Sequence, residues 1–215
     1  MGTRNLTMVI MDQKPVIAQY GQWDGYPTGQ GNTVLEFLHR ADFDVQQFKD
    51  QLAKCRFSES DDIEGLNAIL RSCPEWARTE HKRGVCYLSR DAAAEILGFI
   101  YDTQQNEIVL VDESDFAEDG VMCEWAYVLD LDAEKLEVYK GFQTTAPRQQ
   151  QRFCGPDTAP PADWKPSYEG QNWYYPVQLV EAFPFSALPS NFTEDFGREP
   201  EGNEDASAPS QIEEG

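Results

Sequence analysis

The sequence predicts an α+β domain, a mainly antiparallel sheet packed with several helices and followed by a disordered acidic C-terminal tail. Three observations carry that expectation. Two short apolar runs flank Asp12-Gln13-Lys14-Pro15 at the start of the chain; apolar residues recur at helical spacing after Gly31; and from Glu107 the pattern changes to strand-like runs rich in Val, Ile, Tyr and Trp. At 215 residues the chain is long enough for one sizeable core, so a single globular domain is expected over residues 1–192, with 193–215 as the tail.

Taken in order, Leu6 to Ile10 and Val16 to Tyr20 read as an N-terminal β-hairpin whose second strand leads into Trp23-Asp24-Gly25. Val34, Leu38, Ala41, Val45, Phe48 and Leu52 alternate at spacings of four and three, which makes one face of a helix apolar. Asp42 or Asp44 is placed to cap a second helix and split that segment in two. Further helices are expected at Asp62 to Ser72, ended by Pro74, and at Asp91 to Tyr101 with Ser89 as cap. Glu107 to Val111, Met122 to Leu131 and Leu136 to Phe142 read as an antiparallel meander, with Asp132-Ala133-Glu134-Lys135 as the turn joining the last two. Five prolines between Thr144 and Gly170, without apolar periodicity, mark a long irregular excursion before a final strand at Tyr175 to Phe185.

The formal charge of −21 argues against unaided binding to nucleic-acid phosphates or anionic membrane surfaces. Between Thr193 and Gly215 eight acids face Arg198 alone, so seven negative charges belong to the tail and −14 remains on the body. Low hydrophobicity and high charge beyond Phe196 predict disorder there. The five cysteines are odd in number, widely spaced and without a Cys-x-x-Cys pair, which suits reduced thiols in the cytoplasm. The apolar run Leu6 to Met11 is too short for a signal-peptide core, and no run is long enough to cross a bilayer.

One stretch stands out as a candidate site. From Gln22 to Thr33 the chain holds Trp23, Asp24, Tyr26 and Pro27 with glycines at 25, 29 and 31. Gly29, Gly31 and Asn32 precede an expected helix, whose first N–H groups could cradle an anion; the alternative is a tight turn with Asn32 or Thr33 as the helix cap. The stretch is not a P-loop, lacking the lysine, nor a dinucleotide fingerprint, lacking the third glycine. Asp24, flanked by Trp23 and Tyr26, is either a partly desolvated acid suited to proton transfer or an Asx-turn acid bonded to its own backbone. Arg4 begins the first strand and Asp24 follows the second, so a structural ion pair between them is expected. The candidate binding residues are therefore Arg4, Trp23, Asp24, Tyr26, Gly29, Gly31 and Asn32.

No metal and no cofactor is expected. His39 and His81 have no neighbouring ligands at metal-site spacing, the acids Asp112 to Asp119 fit a solvated loop, and Asp130 to Glu134 lacks the glycine of a calcium loop. Glu124, between Cys123 and Trp125, points outward unless its strand is buried on both faces, in which case it needs a partner.

The phrases Met1-Gly2-Thr3-Arg4-Asn5-Leu6-Thr7, Gln19 to Pro27, Cys123 to Val128 leading into Asp130-Leu131-Asp132, and Tyr174-Tyr175-Pro176-Val177 together resemble an uncharacterised family of small proteins from bacteriophages, bacteria and some fungi. The resemblance covers residues 1–190 and implies no particular activity. The small residue at position 2, the first β-hairpin and the polar-aromatic-acid phrase Gln22-Trp23-Asp24 more distantly resemble the N-terminal nucleophile amidohydrolases, where residue 2 is usually a Cys, Ser or Thr whose own amine serves as base. This chain departs from that pattern at Gly2, which has no side chain to attack with. The leading expectation is a non-enzymatic cytosolic binding protein that holds a small ligand or a protein at the Trp23–Thr33 loop. The alternatives are an amidohydrolase-like enzyme using Asp24, Arg4 and the Gly2 amine, and an acidic mimic that occupies a basic partner.

Overall fold

The computed structural model describes residues 2–58, 90–168, 170–193 and Phe196, together with the backbone of 78–80 and 86–88. The helix expected at Asp62 to Ser72, the cap Ser89, His81 and the tail beyond Phe196 lie outside the described residues.

The fold is α+β. The hairpin forms as β1 (Asn5–Met11) and β2 (Lys14–Gly21), closed by Asp12 and Gln13 with φ of 53° and 61°. Positive φ at both central residues gives the backbone twist that two-residue hairpins favour. Two helices follow, α1 (Asn32–Leu38) and α2 (Val45–Leu52), split as the sequence suggests: the Asp44 side chain caps α2 by accepting from Gln47 N at 2.7 Å. The corner between them is held by buried Tyr101, whose hydroxyl donates to Asp42 O (2.6 Å) and accepts from Asp44 N (2.9 Å). Short strands β3 (Cys55–Phe57), β4 (Arg78–Glu80) and β5 (Cys86–Leu88) come next, then a 3-10 turn at Ala93–Glu95 running into α3 (Ile96–Asp102). That helix starts later than the expected Asp91. Next come β6 (Ile108–Leu110), a 3-10 turn at Ser114–Glu118, β7 (Trp125–Asp130), β8 (Lys135–Lys140) and β9 (Gln178–Pro184).

The main sheet has the order β2-β1-β7-β8-β9, with three antiparallel pairings and one parallel pairing, β1 with β7. Here the meander needs correction. Ile108–Leu110 is not part of it, because β6 pairs in parallel with β3 in a separate two-stranded ladder. The strand next to β7 on that side is β1, in the register Asn5↔Trp125 to Ile10↔Asp130.

Inserting β1 beside β7 buries the central strands on both faces. On one face Val9, Ile17, Tyr127, Leu129, Leu136 and Val138 pack against the three helices. On the other, Leu6, Met8, Ile10, Ala126, Val128 and Tyr139 pack against Ala117, Cys123, Val177 and Phe153. The alternation of side chains across a strand assigns successive residues to opposite cores. At the edge of the helical core, Phe183, Phe192 and Phe196 cluster with centroids 4.7–6.1 Å apart, so packing reaches Phe196.

The second face also carries charge. Arg152, from the irregular excursion, meets Asp130 (2.5 Å) and Glu137 (2.9 Å), and Glu137 also accepts from Tyr139 Oη (2.7 Å) and pairs with Lys135 (2.8 Å). For Glu137 burial works to raise the pKa, but the bonds from Arg152, Lys135 and Tyr139 outweigh it and hold the carboxyl below its ordinary value. Burial also works to raise Asp130, and the Ala133 N–H and Arg152 outweigh it there. The guanidinium therefore fastens the excursion to the sheet.

Arg152→Met leaves two buried carboxylates short of their cation and should cost about 2 kcal/mol, the lower side of the range because Arg152 is partly exposed, measured by urea unfolding. Because both carboxyls titrate lower in the folded chain, their contribution is complete above the unfolded value of about 4 and is lost as pH falls through the folded values. The variant should show a shallower acid limb than wild type; an identical limb would contradict this role.

Candidate functional site

The N-terminal ends of β1 and β7 and the C-terminal ends of β2 and β8 meet at one end of the sheet. Residues 2–4 run on from β1 between two loops. Thr3 O accepts from Gly25 N (2.9 Å), while Arg4 O accepts from Glu124 N (3.2 Å) and Trp125 N (3.3 Å). The Trp23–Thr33 loop is thus tied to the first residues of the chain.

Its glycines serve close packing. A Cβ on Gly25 would sit 2.6 Å from Thr3 O, and one on Gly29 would sit 2.2 Å from Asp24 O. Gly31 packs against the rings of Phe192 and Tyr127, with 2.9 and 3.0 Å left for a Cβ. Two further bonds fix the backbone: Gln30 N donates to Asp24 O (2.8 Å), and the fully buried Tyr127 hydroxyl donates to Gly25 O (2.7 Å). Burial raises the Tyr127 phenol well above its ordinary pKa, so it remains a donor across the working pH range.

The expected cap at Asn32 or Thr33 does not form. Pro27–Gly31 is itself a wide helical turn that runs directly into α1, and Gly31 already has helical angles. The N–H groups of Gly29 and Gln30 are taken by the carbonyls of Tyr26 and Asp24, which leaves them unavailable to an anion. Asn32 instead donates to Thr28 O (3.2 Å) and accepts from Phe192 N (2.6 Å), joining the loop to the far end of the domain.

Arg4 does not meet Asp24. The parallel pairing sets it beside Glu124, with Nε and Nη2 each 3.3 Å from Oε1, and its Nη1 lies 3.0 Å from Met122 Sδ. Glu124 immediately precedes β7 and is partly buried, and Arg4 is its ion-pair partner. Asp24 has φ of 52° and is exposed rather than partly desolvated; its carboxylate accepts from Tyr26 Oη at 3.2 Å, which raises the tyrosine pKa.

Trp23 and Tyr26 are 47 and 43% exposed, although their backbone is pinned. Sequence reasoning missed a second exposed apolar group at the same end of the sheet. Val121, Met122, Phe142 and Tyr174 are also exposed, and the hydrogen bond from Phe142 N to Gly120 O (2.6 Å) and a Phe142–Tyr174 edge-on contact connect them. Arg4 touches Met122 and the Val121 carbonyl, which continues this group toward Gly2 and Trp23. Met122 and Phe142 were expected inside strands, but β7 begins at Trp125 and β8 ends at Lys140. The available signal was Gly120 and Gly141, each next to a large apolar residue: a Cβ would lie 1.8 Å from Tyr175 O at one and 2.1 Å from Cys123 O at the other.

No family model, curated protein or solved structure matches this chain. The chemistry of the site therefore rests on its own residues.

Among the described residues no group of three or more His, Cys, Asp or Glu could hold a metal ion, and no helix is long and apolar enough to cross a membrane. The acids that drew notice serve turns. Asp119 accepts from Val121 N and Met122 N, Asp130 accepts from Asp132 N and Ala133 N, and Asp132 accepts from Asp12 N and Gln13 N across the two hairpin turns.

Tyr127→Phe would leave the buried Gly25 carbonyl without its donor and should lower stability by about 1–2 kcal/mol with an unchanged urea m-value. A loss within about 0.3 kcal/mol would mean that the bond does not anchor the loop.

Proposed function

We propose that this protein is a non-enzymatic binding protein that docks a protein partner through Trp23 and Tyr26, with Met122, Phe142 and Tyr174 widening the contact. The observation that carries this reading is a pair of large aromatic side chains exposed on a backbone fixed by Thr3, Tyr127 and the Asp24–Gln30 bond. Aromatic residues held this way lose little entropy on binding, and such residues dominate interface energetics. The partner surface would be apolar at its centre. Cys55, Cys123 and Cys154 are free thiols, in keeping with a cytosolic setting.

The amidohydrolase reading draws less support. The place where a nucleophilic side chain would begin at residue 2 is filled by the Trp23 ring, 2.2 Å away, and Arg4 is engaged by Glu124. The acidic-mimic reading rests on charge alone and predicts affinity that falls steeply with salt.

Immobilised wild-type chain should retain its partner from a lysate, and the purified partner should bind the Trp23→Ala/Tyr26→Ala variant at least about 30-fold more weakly, with little salt dependence. A partner that binds wild type and variant alike would defeat the proposal; affinity lost mainly to salt would favour the mimic.

A further inference from the structure

A cavity of about 280 Å3 lies within the irregular segment between β8 and β9, bordered by Pro147, Arg148, Cys154, Gly155, Thr158 and Tyr175. Its size is just below the range of about 300–1,000 Å3 usual for small-molecule sites. Its walls are anchored. The 146–150 side is fastened toward β9 at both ends, by Gln178 Nε2 donating to Thr145 O (2.6 Å) and Leu179 N donating to Gln151 Oε1 (2.7 Å). The opposite side is a short turn in which Thr158 Oγ1 donates to Gly155 O (2.7 Å) and Trp173 Nε1 donates to Thr158 O (3.3 Å). Buried Cys154 turns its thiol to the carbonyls of Pro176 and Val177, and Tyr175 N is bonded to Gln143 O (2.8 Å). A 3-10 turn at Pro156–Thr158 and a single bridge between Gln143 and Tyr175 are the regular elements among the described residues here, and specific bonds fix the rest of the wall.

An arginine stands at its edge. Arg4, Arg40, Arg56 and Arg152 each meet a carboxylate, as expected where acids outnumber bases so heavily. Arg148 is exposed at the cavity and makes no hydrogen bond or ion pair among the described residues. An exposed guanidinium beside a mostly apolar cavity combines the two elements that recognise an organic anion: a planar donor fork and a surface for the rest of the molecule. Gly155 adds room, since a Cβ there meets nothing within 4 Å.

We infer that this cavity binds a small aromatic anion, its carboxylate or phosphate against Arg148 and its ring in the cavity. The site is separate from the docking surface proposed above and does not depend on it. Titration of the full-length chain with benzoate, phenyl phosphate, benzamide and inorganic phosphate, followed by amide NMR shifts, tests the assignment. At least one aryl anion should saturably shift Arg148, Gly155 and Thr158 with a Kd below about 10 mM, and the stronger of the two identifies the anionic group. Neutral benzamide and ringless phosphate should bind at least about tenfold more weakly, as should the aryl anion to Arg148→Gln. Gly155 has ordinary extended angles (φ −107°, ψ −175°), so Gly155→Leu should fold and fill the space, abolishing the shifts with Tm within about 2 °C of wild type. Trp23→Ala should bind the probe as wild type does. The assignment is overturned if benzamide binds as well as benzoate, if binding survives in both cavity variants, or if neither aryl anion gives saturable shifts.

Discussion

The parallel pairing of β1 with β7 is the constraint from which the rest of the structure follows. It takes the first strand of the chain into the interior of a five-stranded sheet, so residues 5–10 are buried on both faces and need two cores. The helices supply one core, and the excursion between β8 and β9 with the Ser114–Glu118 turn supplies the other. The same pairing extends backward to lay Gly2, Thr3 and Arg4 between the Trp23 loop and Glu124. The start of the chain thus becomes a structural strip against which the candidate site is built.

This changes the meaning of the glycine-rich loop. Its glycines are there because other groups come too close for a side chain: the Thr3 carbonyl at Gly25, the Asp24 carbonyl at Gly29, and the rings of Tyr127 and Phe192 at Gly31. None of these contacts needs a ligand. What the packing leaves over is the aromatic pair Trp23 and Tyr26, exposed above a fixed backbone. Buried polar character nearby follows the same strand: Asn5 and Thr7 are fully buried, and Asn5 Nδ2 reaches Trp23 O at 3.5 Å.

Much of the local structure was legible in the sequence. The hairpin was read from two apolar runs and a polar turn, the α1–α2 split from Asp42 or Asp44, of which Asp44 is the cap, and β7 and β8 from their Val, Tyr and Trp content. These signals are set by neighbours within a few residues. Strand pairing is not, which is why Ile108–Leu110 was assigned to the meander although it pairs with Cys55–Phe57, and why Arg4 was matched with Asp24 although β7 brings it Glu124. In the candidate site, Trp23 and Tyr26 were legible because a loop holding aromatics is unusual. Met122 and Phe142 were not, since a hydrophobic residue beside a strand reads as part of it, and the close approaches at Gly120 and Gly141 that flank these positions come from Tyr175 and Cys123, distant in sequence.

The central claim is that the Trp23–Gly31 loop is a rigid platform, fixed to the sheet by Thr3 and Tyr127. Backbone 15N relaxation across that loop tests it directly. The account predicts order parameters of about 0.85, equal to those of β1 and β7. Values below about 0.6 for residues 23–31 would contradict it, because a loop that moves on that scale cannot present Trp23 and Tyr26 as a preformed surface.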